Sequence, residues 1–209
     1  MKRKRIISVL ILVIIGLAYL IKDYYNHIGV ILYFLIAIVV TITSFSKFTL
    51  IDDLGLSFRI LTNKRFYQYL IPTILVSNLI LFYIKKFNIV PTNYDNQEPI
   101  LKTILIFLFI NSIRTFGEEI IFRGALLIPE IKNNKKLFWQ INLGQAIIFT
   151  GIHILFVDGL MNKLIFGLYV LLLSIYFGWL NRKFDSIIPS WTVHWMNGIQ
   201  VILLTHLMI

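Results

Sequence analysis

The chain of 209 residues is 58% hydrophobic and only 14% charged, with a net charge of +10 and no cysteine. Soluble domains usually carry charge on about a quarter of their residues, so this composition favours a membrane protein over a soluble enzyme or binding domain. The lack of cysteine excludes a disulfide framework, a thiol nucleophile and a cysteine-ligated metal within this sequence.

Apolar stretches follow one another along the whole chain, most of them close to the roughly 20 residues that a helix needs to cross the hydrocarbon. The connections between them are mostly short. We therefore predict an all-α fold, a polytopic membrane bundle of about seven transmembrane helices, with its active site in the C-terminal half. The predicted spans are 6–21, 28–45, 67–84, 100–117, 138–157, 163–180 and 188–207.

The first stretch follows four basic residues, Lys2 to Arg5, and has no small-residue cleavage site after it. We interpret it as an uncleaved first span rather than a secretory signal, with the N-terminus in the cytoplasm. With seven crossings, thirteen lysines and arginines fall on the cytoplasmic side and four on the other, as the positive-inside rule predicts. The basic residues therefore indicate a protein of the cytoplasmic membrane whose partners are the lipid bilayer and a substrate, with no nucleic acid.

No feature of the sequence marks a second domain, so residues 1–209 are predicted to form a single integral membrane domain. The connection Ser46–Phe66 mixes apolar and charged residues at near-helical spacing, which predicts an interfacial amphipathic helix. The connection Lys85–Pro99 is rich in turn-forming residues and predicts an exposed loop. Polar groups inside apolar runs come after that loop, which divides the chain into scaffold helices, 1–99, and a working half, 100–207.

Three groups of polar residues interrupt the apolar runs of the working half. A charged residue at the centre of a membrane helix costs about 2.5–3.5 kcal/mol on insertion scales, and such residues usually mark function. A structural explanation, with a local ion pair and hydrogen-bonded core histidines, accounts for any one group equally well. Their recurrence on three predicted helices favours a functional site formed by Glu118, Glu119 and Arg123, by His153, and by His194 and Asn197.

Helical spacing predicts how the first group is arranged. Glu119 and Arg123 are four residues apart and can form an ion pair. Glu118 is rotated by about 100° from Glu119, so one carboxylate pairs locally while the other points elsewhere. Arg114, four residues before Glu118, is a competing local partner for that carboxylate.

These residues form three motifs in a fixed order. The first is two glutamates followed after three residues by arginine and glycine; the second is a phenylalanine four residues before a histidine; the third is a histidine followed closely by an asparagine. They are matched by Glu118, Glu119, Arg123 and Gly124, by Phe149 and His153, and by His194 and Asn197. Over residues 100–207 the sequence thereby resembles the CPBP family of intramembrane proteases, also called the CAAX protease and bacteriocin-processing, or Abi, family.

The resemblance implies that the protein is an intramembrane endopeptidase, a metalloprotease-like hydrolase that cleaves a peptide bond in a peptide or a membrane-associated protein. In the family comparison Glu118 is the base that activates water, with His153 beside it. The pair of Glu119 and Arg123 would then position Glu118 for this reaction.

The resemblance also implies that His194 and Asn197 donate hydrogen bonds to the oxyanion of the tetrahedral intermediate. In the family the asparagine often lies four residues after the histidine, and Gly198 stands at that position here. Asn197 still projects from the same helical face as His194, because residues three and four apart share a face. We therefore expect the side-chain amide of Asn197 to donate the hydrogen bond that the family's asparagine provides.

Metal dependence is left open by the residues. Glu118, His153 and His194 would provide a two-histidine, one-glutamate set of the kind that catalytic zinc accepts. If zinc were bound, another group, such as Glu119, would have to act as the base. Because the sequence lacks the HExxH zinc signature, we slightly prefer catalysis by glutamate without a metal.

Two other functions compete with proteolysis. One is a non-catalytic bacteriocin-immunity or partner-binding membrane protein, since the family includes members associated with self-protection; immunity and processing coexist where protection depends on cleavage. The other is a proton-coupled transporter, which is disfavoured because the sequence shows neither internal repeats nor matching Gly/Pro-broken helices. Nothing in the sequence chooses between CAAX-type processing and processing of a bacteriocin or other secreted peptide.

Overall fold

The computed structural model describes residues 55–87, 89, 100–125, 133–155 and 157–207. These residues form helices and contain no strand, so the predicted all-helical fold is confirmed for them. A short 3₁₀ helix, Phe58–Thr62, precedes the first long helix, and a π-helical turn, Ile120–Ala125, follows the second. The long helices are α1 (Lys64–Lys86), α2 (Ile100–Glu119), α3 (Lys135–Ile154), α4 (Leu160–Phe184) and α5 (Ile188–Leu207).

Each of the last five predicted spans lies largely within one of these helices. The first two, 6–21 and 28–45, lie outside the described residues, as does most of the predicted loop after α1. The described end of the connection 46–66 carries a five-residue 3₁₀ helix, and residues 46–54 of the predicted amphipathic helix lie outside the described residues. The predicted number of seven crossings therefore stays a prediction.

Two helices of the described part, Lys64–Ile84 and Leu160–Phe184, are long and apolar enough to cross a membrane. Their outward surfaces are covered by large apolar side chains that are more than half exposed, a distribution suited to contact with lipid chains. These side chains include Ile71, Leu75 and Leu79 on α1 and Leu164, Leu168 and Leu172 on α4.

Beside the apolar residues, many polar side chains lie in the interior, where soluble proteins bury few of them. Each such group has to find a partner inside the bundle, because lipid offers no hydrogen bonds. Asn142 on α3 illustrates this: its Nδ2 donates to the carbonyl of Ile175 on α4 at 3.0 Å, and its Oδ1 accepts from Gln145 at 2.8 Å. The backbone of α4 comes this close because Gly178 has no side chain; a Cβ there would overlap the amide of Asn142.

Helix α5 is the centre of the described bundle, since it packs against α1, α2 and α4, while α3 packs against α4. An apolar core between α1, α4 and α5 includes Phe66, Phe177 and Val193. Close to the start of α5, the N–H of Ile187 donates to the carbonyl of Gly55 at 2.9 Å, and Gly55 has the positive φ of 65° that glycine tolerates best. This packing brings the end of α2 and the C-terminal part of α3 to the middle of α5.

Candidate active site

The end of α2 carries two adjacent carboxylates with different surroundings. The side chain of Glu118 is 16% exposed, whereas that of Glu119 is completely buried. The π-helical turn begins at the next residue, and π segments inside helices occur frequently at functional sites. The predicted ion pair is present: Nη1 of Arg123 lies 3.0 Å from Oε1 of Glu119. Glu118 is therefore the carboxylate that faces the less enclosed side.

The buried guanidinium of Arg123 ties the end of α2 to two other helices. Its Nη2 donates to Oγ of Ser174 on α4 at 2.6 Å. Its Cζ lies 4.6 Å from the centre of the Phe149 ring on α3, a cation–π distance. Together with the bond to Glu119, these contacts compensate a charge that has no access to water.

Glu119 also holds His194, a contact that spacing along the sequence did not predict. Oε1 of Glu119 accepts from Nδ1–H of His194 at 3.0 Å in addition to the bond from Arg123. This second bond orients the imidazole so that its Nε2 lies 3.5 Å from Oε2 of Glu118. Glu119 is thus a positioning group for the histidine on α5, and its burial and two bonds do not suit the alternative role of a base.

His153 is oriented from within its own helix. Its Nδ1 lies 2.8 Å from the carbonyl oxygen of Phe149, and because a carbonyl only accepts, Nδ1 carries the proton. In the neutral ring, Nε2 then has a free lone pair. The Phe149 ring lies 4.2 Å from the His153 ring and 5.6 Å from that of His194, so this phenylalanine packs against both imidazoles.

The three residues on which the sequence interpretation depends come together. One ligand atom each from Glu118, His153 and His194 lie within 4.8 Å of one another, although the residues come from α2, α3 and α5. Two imidazoles and a carboxylate are a donor set that catalytic zinc accepts. Each imidazole donates its Nδ1–H to an oxygen, as metal-bound histidines usually do, which leaves Nε2 available. The three ligand atoms are therefore suited to binding a metal ion and equally suited to holding a water molecule by hydrogen bonds.

A comparison with known families matches the part of the chain that carries these residues. Residues 100–199 match the family model described as Type II CAAX prenyl endopeptidase Rce1-like. The match covers 100 of the 209 residues, just under half of the chain, and agrees with the resemblance to the CAAX protease family that the sequence motifs gave. The matched segment contains all six residues that we selected from the sequence. Searches of the curated proteins and of the solved structures gave no match. Together with the two apolar helices, the family match indicates a membrane-integrated protease that acts on a peptide or protein.

Asn197 lies apart from the histidines and glutamates of the cluster. Its Oδ1 accepts from Oγ of Ser77 on α1 at 2.9 Å, and its Nδ2 donates to the hydroxyl of Tyr169 on α4 at 3.3 Å. The side chain is 7% exposed. Because α5 packs against α1 and α4 at this turn, the amide joins these helices and does not point to Glu118. The structure thus does not bring the expected oxyanion donor into the cluster.

Gly198, where the family often has asparagine, is explained by a residue of α2. The carboxamide of Asn111 lies against this glycine: a Cβ at position 198 would be 2.7 Å from Cγ of Asn111 and nearer still to its amide atoms. Nδ2 of Asn111 donates to the carbonyl of Trp195 at 3.1 Å. An asparagine at position 198 would therefore displace the one that α2 supplies.

Proposed function

We propose that the protein is an intramembrane endopeptidase that hydrolyses a peptide bond in a membrane-associated protein or peptide. The observation that carries the proposal is that one ligand atom each from Glu118, His153 and His194 lie within 4.8 Å of one another, although the residues come from three separate helices. Each of these three residues keeps part of its surface exposed, as a site that takes up a water molecule and a peptide bond requires.

Glu118 has the properties of the base. Its Oε2 is buried and has no hydrogen-bond partner among the described residues, so it is free to accept a proton from water. The lone pair on Nε2 of His153 provides a second acceptor that holds the same water. The water oxygen attacks the carbonyl carbon as its proton passes to Glu118, and Glu118 then returns the proton to the departing amine.

His194 is placed to serve the developing oxyanion. When both ring nitrogens carry protons, Nδ1–H is donated to Glu119 at 3.0 Å and Nε2–H is left for an oxygen in the cluster. A preorganised donor of this kind costs no rearrangement during the reaction. Arg123 contributes indirectly, because its bond to Glu119 keeps that carboxylate in place.

The same donor set suits zinc. Glu118, His153 and His194 would hold the ion, and when bound it would supply a Lewis acid that polarises water and the substrate carbonyl. In that case Glu118 is a ligand, and the base has to be a group other than the buried Glu119.

We infer that the protein lies in the cytoplasmic membrane with its N-terminus in the cytoplasm, because lysine and arginine are concentrated in the loops assigned to that side. Its partners are then the bilayer and a peptide or membrane-protein substrate, without nucleic acid. CAAX-type processing and the processing of a bacteriocin or other secreted peptide, with self-immunity as a result, both fit this placement.

The experiment that tests the proposal compares membrane and secreted peptidomes of cells that express wild-type protein, Glu118→Gln or Asp158→Asn. Asp158 is an exposed carboxylate in the connection between α3 and α4 and is the matched control. Peptides produced by wild-type and Asp158→Asn cells should be missing from Glu118→Gln cells, with their precursors retained. Identical peptidomes in all three would contradict proteolysis, and continued protection by Glu118→Gln would favour the non-catalytic immunity function.

A further inference from the structure

Arg114 is a charged residue of α2 that has no part in the reaction proposed above. It lies one helical turn before Glu118, and its side chain is 33% exposed. Nε of Arg114 is 3.7 Å from Oε1 of Glu118, which is close enough for attraction but too far for a hydrogen bond. The same Nε is buried and has no hydrogen-bond partner among the described residues. The guanidinium therefore faces the cluster with donor capacity left over.

Such an incompletely paired cation is costly inside a protein, because burial removes its hydration without replacing every hydrogen bond. Nε of Arg123 likewise has no hydrogen-bond partner among the described residues, but the rest of that guanidinium is fully buried, bonded to Glu119 and Ser174, and covered by an aromatic ring. Arg114 is arranged differently, since it is partly open and its carboxylate partner stands beyond hydrogen-bond distance. This difference points to a ligand with a negative oxygen.

Asn111 fixes the direction of Arg114. Its Oδ1 accepts from Nη2 of Arg114 at 3.4 Å. Asn111 is only 1% exposed and is itself anchored to the Trp195 carbonyl and enclosed by the backbone at Gly198. Nη2 of the guanidinium is thus held by a rigid amide, while Nε lies 3.7 Å from Oε1 of Glu118 without a hydrogen-bond partner among the described residues.

We propose that Arg114 stabilises the oxyanion of the tetrahedral intermediate and that Asn111 is its positioning residue. The inference rests on the proposed hydrolysis. As the bond between the water oxygen and the carbonyl carbon forms, the C=O π electrons move to the carbonyl oxygen, and Arg114 donates hydrogen bonds to it. When the C–N bond breaks, those electrons return to the C=O bond and the amine takes the proton held by Glu118.

Distance favours the oxyanion over another negative group of the substrate. The carbonyl oxygen has to lie beside the carbon that Glu118-activated water attacks, and Arg114 is 3.7 Å from that same carboxylate. A carboxylate at the end of a substrate would lie farther away, unless the bond cleaved were the last one. Hydrogen bonds from a charged donor are also stronger than those from a neutral donor, which suits the stabilisation of a developing negative charge.

The test uses purified full-length protein in detergent and a synthetic peptide that spans a cleavage site found by the peptidome comparison. Arg114→Gln should lower kcat by about 10²–10³-fold, the range for loss of an oxyanion donor, with KM nearly unchanged. Arg114→Lys keeps the charge and should recover part of the rate. Arg65→Gln, at an exposed position near the start of α1, is the matched control and should behave as wild type.

A double-mutant cycle separates positioning from a structural role. Asn111→Ser should lower kcat in the wild-type background but have little further effect in Arg114→Gln, because Asn111 acts through that side chain. Equal effects in both backgrounds would contradict the positioning role. If Arg114→Gln fails to fold, the cycle is run with Arg114→Lys, where a wild-type kcat would likewise contradict the proposal.

The outcomes also distinguish this inference from the proposed function. Wild-type kcat in folded Arg114→Gln, with Glu118→Gln inactive, would overturn the role of Arg114 alone. A rise in KM at constant kcat would show that Arg114 binds a carboxylate of the substrate instead of the oxyanion. Full activity of Glu118→Gln, or no hydrolysis by wild-type protein, would overturn the proposed function and this inference with it.

Discussion

Purified Glu118→Gln should hydrolyse the substrate peptide about 10²–10⁴-fold more slowly than wild-type protein, the usual contribution of a general base. Glutamine keeps the shape of the side chain but cannot take the proton of the attacking water. The thermal unfolding midpoint should stay at the wild-type value, because Glu118 is partly exposed and its ion-pair contacts within the described part of the chain are long, at 3.5 Å and 3.7 Å.

The measurement is the steady-state rate together with a thermal melt of the same preparation. Asp158→Asn provides the matched carboxylate-to-amide change at an exposed site, and it should leave both quantities unchanged. A Glu118→Gln protein that melts like wild type and retains most of its rate would show that the base is another group.

Glu119→Ala should destabilise the protein by about 3–5 kcal/mol, the cost of leaving a buried charge without its partner. Arg123 would keep Ser174 and the aromatic ring but lose the carboxylate 3.0 Å away. His194 would lose the acceptor of its Nδ1–H as well. Equilibrium unfolding in detergent measures the loss of stability.

The double variant Glu119→Ala with Arg123→Leu removes both charges and is the control for this prediction. Replacing a whole buried pair with apolar groups is often far less harmful than removing one partner. The double variant should therefore be more stable than Glu119→Ala alone. If the double variant loses as much stability as Glu119→Ala and Arg123→Leu lose together when each is made alone, the two side chains are not coupled. The ion pair would then not explain their burial.

The helices were predictable because membrane-length apolar runs are a strong local signal. The predicted stretch 67–84 lies inside α1, Lys64–Lys86, and the stretch 163–180 lies inside α4, Leu160–Phe184. The observed helices extend a few residues beyond the predicted stretches, since polar residues such as Lys64 and Arg182 continue a helix beyond its apolar part. Composition alone does not show where the backbone leaves the helical conformation.

Within the site, contacts between residues four apart were predictable from helical spacing. This holds for Glu119 with Arg123 and for Phe149 beside His153. The bond between Glu119 and His194 was not, because 75 residues separate them and spacing says nothing about which helices pack together.

The position of Asn197 was missed for the same reason. It shares a helical face with His194, but its partner Ser77 is 120 residues away on α1. A glycine at position 198 was visible in the sequence as an irregularity. Its cause, the amide of Asn111 on α2, required the packing of α2 against α5.

The most direct test of the account asks whether α3 and α5 bring His153 and His194 together in the membrane. The chain has no cysteine, so His153→Cys with His194→Cys introduces two thiols where the ring centres lie 6.5 Å apart. A short thiol-specific cross-linker should join them in isolated membranes, giving a linked peptide by mass spectrometry. The control pairs His194→Cys with Ile147→Cys, an exposed position on α3, and should not be joined. Efficient linking in the control, or none at the paired histidine positions, would contradict a site shared by these helices.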